Sequence, residues 1–225
     1  MINQTNFRVL SGLVLLGGVA ACNADDITKV NENPNSPTNA PAGAVFTNAV
    51  INGVSRFLGW AYNGRGAALV VQHLAQTQYP DEDQYRRLDA NSTAGYFNNP
   101  YQTELEDFQK VVDEGTTASH PAISGPALAF QQLIFEYITD TFGDVPYSDA
   151  LKGDAENGVL LPKYDAQKDI YAGMMAALTK AATDLDNPGN VTLGSADPLY
   201  GGDAAAWQRF ANTLHARMSR KKESR

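Results

Sequence analysis

Cysteine is nearly absent from this chain: Cys22 is the single one in 225 residues, so no internal disulfide can form. Histidine is scarce too. His73, His120 and His215 stand far apart and no two share the i, i+4 spacing of a helical metal pair, which removes a histidine-based zinc site. Basic residues are few, 17 Lys and Arg against 25 Asp and Glu, and the net charge of −8 argues against a nucleic-acid surface. No apolar run approaches the ~20 residues that span a bilayer. Phosphate-cradling glycine loops and the G-x-S-x-G elbow of serine hydrolases are missing. The acidic runs Asp81-Glu82-Asp83 and Asp184-Leu185-Asp186 lack the further oxygen ligands and the glycine of a calcium loop. These absences leave no predicted metal and no predicted cofactor. A glycosidase carboxylate pair stays open, because such a pair is defined by spatial separation.

The amino terminus is the most informative segment. A polar start with one positive side chain, Arg8, is followed by an apolar run from Val9 to Val19 and by the small residues Ala20 and Ala21. Charge, a short apolar core and small residues describe a secretory signal peptide. Placed directly after them, Cys22 resembles the acceptor of a bacterial lipobox, with Val19 where such boxes favour Leu. That resemblance implies cleavage before Cys22 and lipid on its thiol and amine, and several acyl chains hold a protein stably on a membrane. Residues 1–21 are thus predicted as signal peptide and 22–42 as a lipidated tether, rich in Asn, Pro and Asp and too polar to bury a core. Residues 43–225 form the folded part.

Within that part, apolar residues recur at helical spacing. Weak patterns cover 42–58 and 101–112. Ala67, Val70, Val71, Leu74 and Ala75 mark a helix leading to Tyr79-Pro80. Ala127, Phe130, Ile134, Tyr137 and Ile138 mark another, opened by Pro126 and stopped by Gly143. Ile170, Met174, Ala177, Leu178, Ala181 and Leu185 form a third with Asp165 at its cap. Trp207, Phe210, Ala211, Leu214 and Met218 form a fourth, capped by Asp203. No stretch alternates as a strand does. The predicted fold is mainly α, stacked helical hairpins with irregular loops, although no clean 34-residue repeat is visible. The last helix runs straight into SRKKESR, where a stacked array needs a polar cap. The sequence is therefore expected to be incomplete at its carboxyl end.

Aromatic side chains gather in the first half, among Gly, Asn and Asp. Trp60, Tyr62, Tyr96 and Tyr101, within LGWAYNGRG and NSTAGYFNNPYQ, are the candidate ligand-binding residues. Such rings cover the C–H face of a sugar while amides and carboxylates bond its hydroxyls. The other use of the same rings is packing between helices.

Several ordered segments resemble one family. CNADD at the lipobox, the tether VNENPNSPTNAP, FEYITDTFGDVPYSDALKG (135–153), LPKYDAQKDIY (161–171) and LYGGDAAAWQRFANTLHARMS (199–219) are similar to the SusD/RagB-like nutrient-binding lipoproteins of Bacteroidetes outer membranes. The resemblance implies a tetratricopeptide-like helical scaffold exposed on the outer surface. It also implies an oligosaccharide or other nutrient as ligand, a TonB-dependent, SusC-like transporter as partner, and no catalysis. Members are about twice this length. The residues around Gly143 to Tyr147 read as structural, since Pro146 biases Val145 away from helix. Two other functions remain open at this point: a lipid-anchored scaffold binding envelope proteins or peptides through a helical groove, and a surface glycoside hydrolase.

Overall fold

The computed structural model describes residues 40–78, 80–85, 90–153 and 158–223. The signal segment, Cys22, most of the tether, Tyr79 and Arg225 lie outside the described residues. Pro41–Arg225 form one compact unit.

Helix α1 (Ala42–Phe57) buries Val45, Phe46, Ala49, Val50, Gly53 and Phe57, the spacing of an amphipathic helix with one apolar stripe. A turn leads into an eight-residue π-helical stretch, Trp60–Ala67, and one α-turn, Ala68–Val70. The predicted continuation through Ala75 does not form. Gln72 takes φ 58, and Val70, Val71 and Leu74 are 41%, 58% and 42% exposed. A short helix depends on burying its apolar face, and these side chains stay largely exposed.

The weak pattern over 101–112 resolves into two helices, α2 (Ala90–Gln102) and α3 (Glu104–Thr117), separated at Thr103. Glu104, Glu106 and Asp107 lie in the first turn of α3, where negative charge complements the helix dipole. Glu104 is fully buried and accepts from Arg56 Nε of α1 at 2.7 Å. At the other end, Ser119 takes φ 55 while His120 N–H returns to the Gly115 carbonyl at 2.7 Å, a left-handed cap that satisfies a terminal carbonyl.

Helix α4 (Pro121–Phe142) starts five residues before its predicted position, with Pro121 in its first turn and Pro126 inside it. Pro121 has no N–H to leave unpaired there, whereas Pro126 forgoes one bond to the preceding turn. Gly143 ends the helix at φ 81. Helices α5 (Gln167–Asp184) and α6 (Ala204–Glu223) follow the predicted patterns. Asp203 Oδ1 caps α6, accepting from Ala205 and Ala206 N–H at 2.9 and 3.2 Å. Asp165 is not the cap of α5. That position is Ala166, which makes no side-chain cap bond.

Each helix rests on its neighbour: α1 and α2 on α3, α3 on α4, α4 on α5, and α5 on α6, which returns to α4. The fold is mainly α. Among the described residues the only extended pairing is an isolated bridge between Val145 and Asp165. Phe46, Phe108, Phe130 and Trp207 meet at the centre with edge-on and tilted rings 5.2–6.4 Å apart, arrangements that suit the aromatic quadrupole. Trp207 is fully buried. Its Nε1 donates to Asp197 at 2.7 Å, so an indole in the core keeps a partner for its one polar atom. The α4–α6 contact carries charge as well. Glu136 on α4 is 2% exposed and pairs with Arg217 and with Lys221, the latter at 2.8 Å. Lys221 also reaches Asp140 at 2.7 Å.

Candidate functional site

Asp144 and Asp165 organise the region that shapes the site. Backbone N–H groups of Tyr147 and Ser148 donate to Asp165 Oδ2 at 3.1 and 2.7 Å, and the Ser148 hydroxyl donates to Oδ1 at 2.9 Å. Desolvation pushes the Asp165 carboxyl upward, but the Ser148 and Tyr147 hydrogen bonds, aided by the Lys163 charge, outweigh it and hold it below the usual range. Asp144 crosses in the opposite sense: its Oδ1 accepts from Gln167 N–H at 2.9 Å, serving an orphan donor at the start of α5. Tyr147 is clamped by Gln132, whose Oε1 accepts its hydroxyl at 2.9 Å, and by Phe135, edge-on at 4.8 Å. Burial, then the Asp165 charge, drives the Tyr147 phenol well above its ordinary range. The residues GDVPYSDA and KYDAQ are thus a cross-pinned turn, in keeping with their structural reading.

That turn ends in Ala150, Leu151 and Lys152, which face the outer side of α3. Between them lies a cleft of about 940 Å³ walled by Glu106, Lys110, Asp113 and Glu114 of α3. A second cleft of about 310 Å³ adjoins it, lined by Phe97, Asn98 and Tyr101 of α2, Pro146, Leu151 and Pro162. Glu106, Ala150 and Leu151 line both. The first carries charged side chains along its rim, with carboxylates outnumbering its two lysines. The second is aromatic. Clefts of this size suit small extended ligands.

Of the predicted aromatics whose side chains are described, the structure pairs Tyr62 with Tyr96 and places Tyr101 apart. Tyr62 and Tyr96 meet edge-on at 5.1 Å, and Tyr62 also packs on Phe57 and Tyr137. The hydroxyls of Tyr62 and Thr141 share a hydrogen bond at 2.6 Å. Tyr101 lines the smaller cleft and donates to the Pro146 carbonyl at 2.6 Å. Burial, then the Tyr164 and Asp165 charges, raises its phenol far above the usual value. The Trp60 side chain and Cys22 lie outside what the structure describes. Sequence reasoning passed over Phe97 as a site residue and missed Tyr164. These rings stack nearly parallel at 6.2 Å, and Tyr164 is 62% exposed. The one available signal was the position of Tyr164 in LPKYD, beside the turn-pinning Asp165.

Among the described residues no helix is long and apolar enough to cross a membrane, and no group of three or more His, Cys, Asp or Glu is placed to hold a metal ion.

Residues 34–221 match the model of a SusD-like family described as starch-binding and associating with the outer membrane. Among solved structures, a chitin-binding protein is 25% identical with a TM-score of 0.66, over 80% of this chain and 38% of its own. A SusD homologue from Bacteroides fragilis is 24% identical with a TM-score of 0.64, over 80% of this chain and 35% of its own. Another from Bacteroides ovatus is 22% identical with a TM-score of 0.61, over 79% and 36%. At those identities the two homologues speak for the fold alone. The chain spans little more than a third of the length of the structures it matches. No curated protein matches.

Proposed function

This chain belongs to the SusD-like family of starch-binding proteins associating with the outer membrane, and on that premise we propose that it captures a nutrient oligosaccharide at the cell surface without cleaving it. In this reading Cys22 carries the lipid, residues 22–42 are the tether, and the captured ligand passes to a TonB-dependent, SusC-like transporter.

The observation that carries the reading is the pair of adjoining clefts. Phe97 lines the smaller cleft and carries the exposed ring of Tyr164 stacked on it, and carboxylates, amide and ammonium groups stand along the rest. Rings take the apolar face of a pyranose and the polar wall bonds its hydroxyls. Trp60, Tyr62, Tyr96 and Tyr101 remain proposed contacts, of which Tyr101 lines the smaller cleft.

One solved neighbour is named a chitin-binding protein, so N-acetylglucosamine oligomers head the panel to try by calorimetry, beside malto-oligosaccharides. Tyr164→Ala should weaken binding by about tenfold, the ~1.4 kcal/mol of one lost stacking contact. Its melting temperature should stay near wild type, because the ring is largely exposed. Absence of saccharide binding by the wild type, or an undiminished Tyr164→Ala, contradicts the reading.

A peptide-binding scaffold has one feature in its favour: Leu160 and Leu161 are 81% and 93% exposed, as apolar anchors for a peptide partner would be. Capture of a soluble envelope protein that is lost on Leu161→Asp would favour it.

A further inference from the structure

Leu151 sits in the left-handed backbone region at φ 59, a conformation that costs a bulky side chain free energy and that glycine adopts freely. The comparable φ of Ser119 closes the end of α3 through a helix-capping bond. No helix ends at Leu151. Instead the strain is imposed from both sides. Upstream, Asp165 fixes Tyr147 and Ser148, and Lys152 Nζ ties back to the Ser148 carbonyl at 2.5 Å. Downstream, Val159 N–H donates to the Lys152 carbonyl at 3.1 Å. A strained residue held this firmly in a cleft wall is a candidate ligand contact. Leu151 is also half-buried and lines both clefts.

We propose that Leu151 is a specificity-determining residue, the apolar ledge that joins the two clefts into one path and selects an elongated saccharide over a short one. The inference rests on the binding role proposed above. A chain lying across the ledge presents a sugar's C–H face to the leucine side chain. One end then reaches the aromatic cleft at Phe97 and the other the polar wall at Asp113. A short saccharide occupies one cleft and gains nothing from the ledge.

The test uses the full chain, with Leu151→Gly and Leu151→Ala, chitin-type oligomers from dimer to hexamer, calorimetry and thermal melts. Leu151→Gly should weaken hexamer binding on the order of tenfold, the contribution of one buried leucine contact, and leave the dimer unchanged. Its melting temperature should hold or rise, since glycine relieves the backbone. Leu151→Ala should lose the same affinity without that gain, because alanine keeps the strain. Equal loss for dimer and hexamer, an unaltered hexamer affinity, or a fall in the Leu151→Gly melting temperature overturns the ledge while leaving saccharide binding standing. A wild type that binds no oligomer of any length overturns both.

Discussion

At the scale of single residues, two aspartates carry more of this structure than their count suggests. Asp197, 4% exposed, accepts from the N–H groups of Leu199, Tyr200 and Gly202 and from Trp207 Nε1. One carboxylate thus shapes the PLYGG turn and holds the central indole. Asp197→Asn keeps the shape but turns an amide donor toward donors, leaving buried N–H groups unmatched. It should cost about 3 kcal/mol, read as a drop of several degrees in melting temperature. Asp165 acts through pH. Its folded pKa lies below the ordinary value, so its contribution is present above the unfolded pKa near 4 and is lost as pH falls through the folded one. In urea melts, wild-type stability should fall as pH drops below about 4, and Asp165→Asn should make that limb shallower. A variant profile parallel to wild type would assign the acid limb to other carboxylates.

At the scale of elements, the turn between α4 and α5 is fitted closely to the helix that follows. A Cβ on Gly173 of α5 would lie 2.5 Å from Tyr147 Cε1, and the ring cannot swing away while Gln132 and Phe135 hold it. Gly173→Ala should therefore destabilise by about 1–3 kcal/mol, the usual cost of overpacking, and denaturant titration would read it directly. Contacts of this kind explain what the sequence could and could not show. Helices α1, α5 and α6 were legible because their apolar spacing is the packing itself, with Phe46, Met174 and Trp207 all fully buried. The helix expected through Ala75 failed because periodicity states which side chains share a face, not whether a neighbour exists to cover it. The start of α4 was misplaced because two prolines fit a first turn, and Pro121 follows the α3 cap directly. Asp165 was read as a cap because aspartate before a helix usually is one. Its true partners, Tyr147 and Ser148, are 18 and 17 residues away, a separation no local pattern encodes.

At the scale of the whole molecule, helices around an aromatic core form a support, and the clefts lie at the edge where α2, α3 and the pinned turn meet. Several titratable groups of this support bear on its stability at high pH. Burial pulls the Lys221 pKa down, yet bonds to Asp140 and Glu136 raise it overall, and burial also raises Tyr101, Tyr137 and Tyr147. The stability these groups contribute is complete below about pH 10 and is lost as pH rises through their folded values. Of the site, the aromatic character of 91–102 was legible, and so was the structural role of the turn. The cleft itself was not, because it is made by bringing Leu151 against a helix some forty residues earlier in the chain. The central claim is that saccharide binds there. Titrating the isotope-labelled chain with an N-acetylglucosamine hexamer and following backbone amide shifts tests it most directly. Shifts concentrated at 97–102, 106–114 and 146–153 are the predicted result. An unchanged spectrum, or shifts confined to surfaces away from these segments, would contradict it.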